Sequence, residues 1–243
     1  MEIKNSVIVV TGAATRVGRE VALALAGKGA HIAFTYYDAS EPWQETVQAV
    51  EALGVQCLAA QLEVRDATQV KAFFQSVVER FGRLDGLINN ASVWLKAPFL
   101  QITESDWDLA VDVNLKGPFL CAQAAAPVML SQNRGVIINI TDLSAFQVWP
   151  GYAHHASSKA GLVALTKALA VELAPAVRVN AIAPGTVLLP PNAPPEKVQW
   201  AVDKSLLKRV GSPKDVAQLA IFLIENDFTT GSVYFTDGGR SLV

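Results

Sequence analysis

Residues 7–26, VIVVTGAATRVGREVALALA, constrain the chain more than any other stretch. Val7 to Val10 are all β-branched, a run that reads as a strand buried on both faces. The chain turns at Thr11-Gly12, and Val17, Val21 and Leu25 then form a helical stripe. A strand that passes through a glycine turn into a helix gathers free backbone N–H groups and the positive end of the helix dipole at one spot. A pyrophosphate fits there. Gly12 permits the tight turn, and Gly18 lets the helix lie close to the sheet. The spacing is TGxxxRxG rather than GxGxxG, with Arg16 inside it. An arginine beside a phosphate turn is a bidentate donor for phosphate oxygens; the alternative is a surface residue on a first helical turn.

The length of 243 residues suits one α/β domain with a full core. A net charge of −2 gives no general pull towards nucleic acid or an anionic membrane. No apolar run is long enough for a bilayer span, and MEIKNSVIVV enters the first strand without a signal-peptide pattern, so a cytoplasmic protein is expected. Cys57 and Cys121 fall in apolar segments without ligand spacing and read as buried, reduced thiols. His31, His154 and His155 form no ligand motif with acids or cysteines, so no metal site is expected.

Apolar strand-like runs alternate with amphipathic runs, the pattern of a doubly wound parallel sheet of the Rossmann type with seven strands. After Val7–Val10, strands are expected at His31–Thr35, Val55–Val64, Leu84–Asn89, Gly135–Ile140, Val177–Ile182 and Ser232–Thr236. Helices are expected over Glu41–Leu53, from an Asp66 cap to Arg80 with Gly82 as stop, and over Pro213–Ile224. Thr103–Ser131 and His154–Leu173 read as two long helices, with Pro118 and Pro127 as kinks in the first. Pro184–Lys208 holds a proline-rich loop and a short helix.

TGxxxRxG resembles the short-chain dehydrogenase/reductase family, whose common form is TGxxxGxG, and within it the pteridine reductase branch, which carries Arg. Five further motifs follow in order. They are Asn89-Asn90-Ala91-Ser92, Asn114 in VNLKG, His155-Ala-Ser-Ser-Lys159, Pro184-Gly185-Thr186-Val187, and a Thr230-Gly231…Asp237-Gly238-Gly239 close. The family pairs a Tyr with a Lys four residues later on one helix face, so that the ammonium tunes the phenol for proton transfer. Here His155 stands in the Tyr position. Thirteen residues earlier the usual Ser is Asp142, the pteridine reductase choice.

The resemblance implies a reductase that transfers hydride to a pterin-like ring or to a carbonyl, including a 3-ketoacyl type. A non-catalytic nucleotide-binding relative is the alternative, because the Tyr is missing. It implies Asp142, His155, Lys159 and Asn114 as the catalytic set, with Asn114 also bending the long helix and binding a water of the proton relay. Gly12, Thr15, Arg16, Val17, Gly18, Asn90, Ala91, Ser92, Lys159, Pro184, Gly185 and Val187 would hold the dinucleotide, with Glu63-Val64 near the adenine. The end of the second strand, Thr35-Tyr36, lacks the acid that would repel a 2′-phosphate and offers hydroxyl donors. NADP(H) is therefore favoured, with NAD(H) as the alternative. Trp94 would stack a flat substrate, Tyr152 and Leu188 would contact it, and residues 186–210 would form a lid. The family also implies a homotetramer, with the two long helices paired across twofold axes.

Overall fold

A computed structural model describes residues 1–243. Seven parallel strands lie in the order β3-β2-β1-β4-β5-β6-β7. They are β1 (Val7–Val10), β2 (His31–Tyr36), β3 (Cys57–Gln61), β4 (Gly86–Asn89), β5 (Gly135–Ile140), β6 (Val177–Pro184) and β7 (Val233–Thr236). Every strand anticipated from sequence is present, β1 and β5 with the expected bounds and the others with shifted ends. The third is much shorter than Val55–Val64, because the chain leaves the sheet edge after Gln61.

β1 shows why the sheet needs helices on both faces. Its alternate residues separate cleanly: Ile8 and Val10 join one core, Val7 and Val9 the other, and all four are fully buried. Burying one such side chain is worth about 1.5–3 kcal/mol. The first core lies under α1 (Arg16–Gly27), α2 (Trp43–Glu51) and α8 (Pro213–Glu225). The second lies under α3 (Ala67–Phe81), α5 (Gly117–Ser131) and α6 (Ala153–Glu172). Asp66 caps α3 by accepting from the Thr68 and Gln69 N–H groups, and Gly82 ends it in the left-handed region at φ 71°.

The expected continuous helix over 103–131 is interrupted. α4 (Glu104–Val111) runs into a π-helical turn at Asp112–Lys116 before α5 begins. The break falls at Asn114 and not at the prolines. Pro118 sits in the first turn of α5, where no N–H is required, and Pro127 lies inside a helix that carries on. α7 (Pro195–Asp203) is the short helix of the proline-rich segment. The two cysteines are unpaired; burial, aided at Cys57 by Glu51, pushes both thiols up to about 12. Cys57 is only partly buried, because β3 is an edge strand. No helix is long and apolar enough to cross a membrane.

Candidate functional site

The strand order reverses between β1 and β4, and in open parallel sheets the ligand crevice opens at such a point, beyond the carboxyl ends of the strands. A cleft of about 690 Å³ lies there. Gly12 forms its floor at φ +64°, and a Cβ on it would stand 3.0 Å from the Ala91 Cα. A Cβ on Gly18 would press on the Gly12 carbonyl and come within 2.5 Å of Asn90 Nδ2. Asn90 is a tie rod: its Nδ2 donates to the Thr11 and Gly12 carbonyls, both at 2.9 Å. The Thr11 hydroxyl accepts from the Asn90 and Ala91 N–H groups, so the ends of β1 and β4 are locked together. Asn89 does the same one strand on, donating to Asn139 Oδ1 at 2.8 Å. Thr15, Arg16, Val17, Ser92 and Gly185 line the same cleft. Arg16 adopts φ +56°, in the left-handed region, where the common family pattern has glycine. Its side chain is exposed and makes no ion pair.

At the adenosine end Thr35 and Tyr36 have partners that the sequence did not report. The Thr35 hydroxyl is buried and accepts from the Gly12 N–H at 3.1 Å, so it braces the turn. Tyr36 is stacked on Trp43 with ring centroids 5.0 Å apart, because its position on β2 turns it into the core beside α2. Both residues still line the cleft, together with Tyr37, Glu41 and Arg65. One Glu41 oxygen accepts from the Tyr37 and Asp38 N–H groups, at 3.0 Å each. Glu63 and Val64 do line the cleft, but Glu63 is held by Arg65 at 2.6 Å, and that bond keeps its carboxyl below the usual carboxylate range.

At the inner end four expected residues converge, although they do not face the cleft equally. Asp142 and Lys159 line it; Asn114 and His155 are completely buried behind it. His155 Nε2 lies 2.7 Å from Asp142 Oδ2, and Nδ1 lies 3.1 Å from the Val93 carbonyl. Asn114 Oδ1 accepts from the Val93 N–H and the Ser92 hydroxyl, both at 2.9 Å, which fixes the amide's orientation. Its Nδ2 edge therefore donates, to Ser158 Oγ at 3.1 Å and towards the Val93 carbonyl at 3.2 Å. His155 Nδ1 lies between the Val93 carbonyl and the Asn114 Nδ2 donor, the latter at 3.3 Å, so its neighbours fit it as donor or as acceptor. Nε2 faces Oδ2 directly, so a proton on either atom completes the hydrogen bond between them. The π turn matters here, since it swings Asn114 inward where a regular helix would continue its ladder.

Burial raises the Asp142 carboxyl, but the His155 hydrogen bond, the charges of Lys159 and His155, and Ser144 outweigh it. The group sits below its ordinary value. Ser144, two residues off the expected register, is the residue that fixes Asp142, donating to Oδ1 from both N–H and hydroxyl. Burial holds the Lys159 ammonium below its usual range, with Asp142 opposing; Nζ donates to the Ile140 carbonyl at 2.9 Å.

Trp94 closes the view of His155, with ring centroids 4.4 Å apart, and is itself 55% exposed. Tyr152, the residue before α6, stands 5.1 Å from Trp94, and Trp149 stands 6.5 Å from it. Together they make an aromatic wall. Trp149 was not singled out in the sequence, nor were Tyr37, Glu41 and Arg65. None belongs to a motif; folding brings Tyr37, Glu41 and Arg65 to the cleft and Trp149 to the aromatic wall. Pro184 lines the main cleft, Val187 lines a smaller neighbouring cavity, and Leu188 lines neither.

A family model described as enoyl-(acyl carrier protein) reductase matches residues 12–241. The BbsD subunit of a (2S)-[(R)-hydroxy(phenyl)methyl]succinyl-CoA dehydrogenase from Thauera aromatica is 36% identical over 250 residues, covering 100% of this chain and 99% of the relative. The 3-oxoacyl-[acyl-carrier-protein] reductase FabG of Staphylococcus aureus is 37% identical, covering 95% and 96%. The acetoin dehydrogenase structure from Enterobacter cloacae superposes with a TM-score of 0.89 at 34% identity, covering 98% and 96%. The glycine turn locked by Asn90, the seven-stranded parallel sheet and these full-length matches agree: the chain belongs to the short-chain dehydrogenase/reductase family.

Proposed function

We propose that the protein is an NAD(P)(H)-dependent reductase of a flat, pterin-like ring, in which Asp142 presents the proton and His155 stores it. The observation that carries this reading is the 2.7 Å contact between Asp142 and His155, buried beneath Trp94 at the inner end of the cleft. Gly12, Arg16, Gly18, Asn90 and Lys159 would hold the dinucleotide; the glycine floor that a Cβ would fill fits a pyrophosphate. When bound, the nicotinamide supplies the hydride. The chain's own part is proton delivery. Asp142 is the member of the pair that lines the cleft, so it can touch a ring lying on Trp94. His155 has no exposure and acts by passing its Nε2 proton to Oδ2, from which the carboxyl relays it to the ring, leaving a neutral imidazole and a carboxylate. Lys159 balances the negative charge that remains. Arg16, which has no carboxylate partner, supports NADP(H); Glu41 in the same cleft supports NAD(H) as the alternative.

Assays of NADPH and NADH oxidation with dihydrobiopterin, dihydrofolate and a 3-oxoacyl thioester test this reading. Turnover with a pterin is the expected result. A second reading, reduction of a 3-oxoacyl carbonyl, is favoured by the full-length similarity to FabG, and turnover with the thioester alone would establish it. Tight NADPH binding with no turnover at any pH would leave a non-catalytic nucleotide-binding protein. The family resemblance also carries a homotetramer, supported by Phe119, Leu130 and Val171 exposed on α5 and α6. A monomer mass by sedimentation at micromolar concentration would contradict it.

A further inference from the structure

The C-terminal turn places an arginine at the rim of the aromatic wall. Gly238 and Gly239 take φ +64° and +79°, and the next residue, Arg240, reaches back over the site. Its guanidinium carbon lies 5.0 Å from the centre of Trp149 and 4.8 Å from the centre of Trp200 on α7. The guanidinium thus lies over two indole rings at once. Its backbone carbonyl accepts from Gln147, in the loop that carries Trp149. Nη1 donates to the Thr186 hydroxyl at 2.6 Å. A guanidinium has five N–H donors, and this is the one side-chain acceptor it meets.

No carboxylate forms an ion pair with it. Asp237, the acid closest in sequence, spends its oxygens on the Gly239 and Ser241 N–H groups, at 2.9 and 2.7 Å. Asp215 is taken by Arg209 at 3.2 Å. Arg240, Thr186, Ser205 and Arg209 line a cavity of about 370 Å³. So a half-buried cation, held rigid by two rings and left with free edge donors, opens onto a cavity whose acids are already committed. That is the chemistry of a receptor for a carboxylate or phosphate.

We propose that Arg240 selects substrates bearing an anionic tail: the reacting group lies against Trp94, and a carboxylate or phosphate one ring further out, beyond Trp149, is met by the guanidinium edge. This rests on the reading of Trp94 as the substrate seat. Arg240 is a specificity residue, outside the proton-delivering set.

Two matched ligand pairs test it, each with one charged and one uncharged tail: dihydrofolate against dihydrobiopterin, and acetoacetyl-coenzyme A against the N-acetylcysteamine thioester of acetoacetate. Binding to the NADP⁺-loaded protein is measured by calorimetry, so the result does not depend on turnover. The charged member of at least one pair is expected to bind about tenfold tighter or better, the worth of charge-assisted hydrogen bonds. In Arg240→Gln that ratio should fall to within about twofold, while Arg240→Lys keeps part of it. In the wild-type protein, which needs no variant to fold, the ratio should shrink as salt rises from about 0.05 to about 0.5 M. No preference in either pair, or a preference intact in Arg240→Gln, overturns the proposal. If the thioester pair alone binds and shows the preference, the pterin reading fails while Arg240 stands.

Discussion

Asparagine at position 142 would separate the chemistry of the site from its packing. Asp142 Oδ1 accepts from Ser144, and Oδ2 faces His155 Nε2 at 2.7 Å. In Asp142→Asn the Oδ1 contacts persist, and the new NH2 donates to the lone pair of a neutral His155 whose Nδ1–H still meets the Val93 carbonyl. No buried polar atom is orphaned, so the cost is the charge assistance alone. Hydrogen bonds to charged groups are worth about 1.5–3 kcal/mol against about 0.5–1.5 for neutral ones. A loss of about 1–2 kcal/mol is therefore expected, well short of the roughly 3–5 kcal/mol for breaking a buried pair outright. Turnover, by contrast, should fall by about 10²–10⁴-fold, the usual contribution of a positioned acid. The pH dependence follows from the sign of the shift. The folded-state Asp142 carboxyl lies below its ordinary value, so its stabilisation is complete above about pH 4, the unfolded value, and is lost as pH falls through the lower folded one. The stability gap between wild type and Asp142→Asn should close in that acid window. Thermal melts between about pH 3 and 7, with single-turnover reduction followed by nicotinamide absorbance, measure both effects. Turnover within about threefold of wild type, or a gap that is constant with pH, would refute the assignment of the proton to this pair.

Three other substitutions follow from the same geometry. Gly18→Ala forces a Cβ onto backbone atoms, including one 2.8 Å from the Ala13 Cα, and should cost about 1–3 kcal/mol in urea melts together with most of the NADPH affinity by calorimetry. Arg16→Gly removes a left-handed L-residue, worth about 1–2 kcal/mol, against about 0.5–1 kcal/mol of extra chain entropy. Its melting temperature should hold or rise while NADPH affinity and its salt dependence fall, and unchanged affinity would remove Arg16 from the phosphate site. His155→Tyr puts a longer ring into a slot already closed by Trp94 at 4.4 Å and by Asp142, and should lose about 1–3 kcal/mol to overpacking. A variant that melts at or above the wild-type temperature would show that the slot has room.

Much of the frame was legible because it rests on local rules. Val7–Val10 could only be a central strand, Asp66 and Gly82 bracket α3 with ordinary cap chemistry, and the Asn89-Asn90 pair reads as a strand-end tie. What escaped depends on direction in space. The Thr35 hydroxyl looks available on a strand end, yet the parallel pairing of β2 with β1 brings the Gly12 N–H to it. Tyr36 is one residue on and so points to the other face, into Trp43. Glu41 and Arg65 reach the cleft from loops, where no periodicity reports orientation. The prolines suggest kinks and the family resemblance a bend at Asn114; the π turn stands at Asn114, whose partners, Val93 and Ser158, are distant in sequence.

The His155 position shows the limit most clearly. Spacing of four on a helix puts His155 and Lys159 on one face of α6, and both are indeed buried there. Spacing says nothing about depth. An imidazole is shorter than the phenol that the family uses, so from the same backbone position it stops inside the wall. Asp142 comes from the end of β5 and bridges the gap, meeting Nε2 on one side and the cleft on the other. A serine at 142 has neither the length nor the second oxygen to do both. On the proposed reading the two departures from the family pattern work together: Asp142 would carry the shorter ring's proton to the cleft, while the His155 hydrogen bond and the Lys159 charge hold the buried carboxyl below its ordinary value.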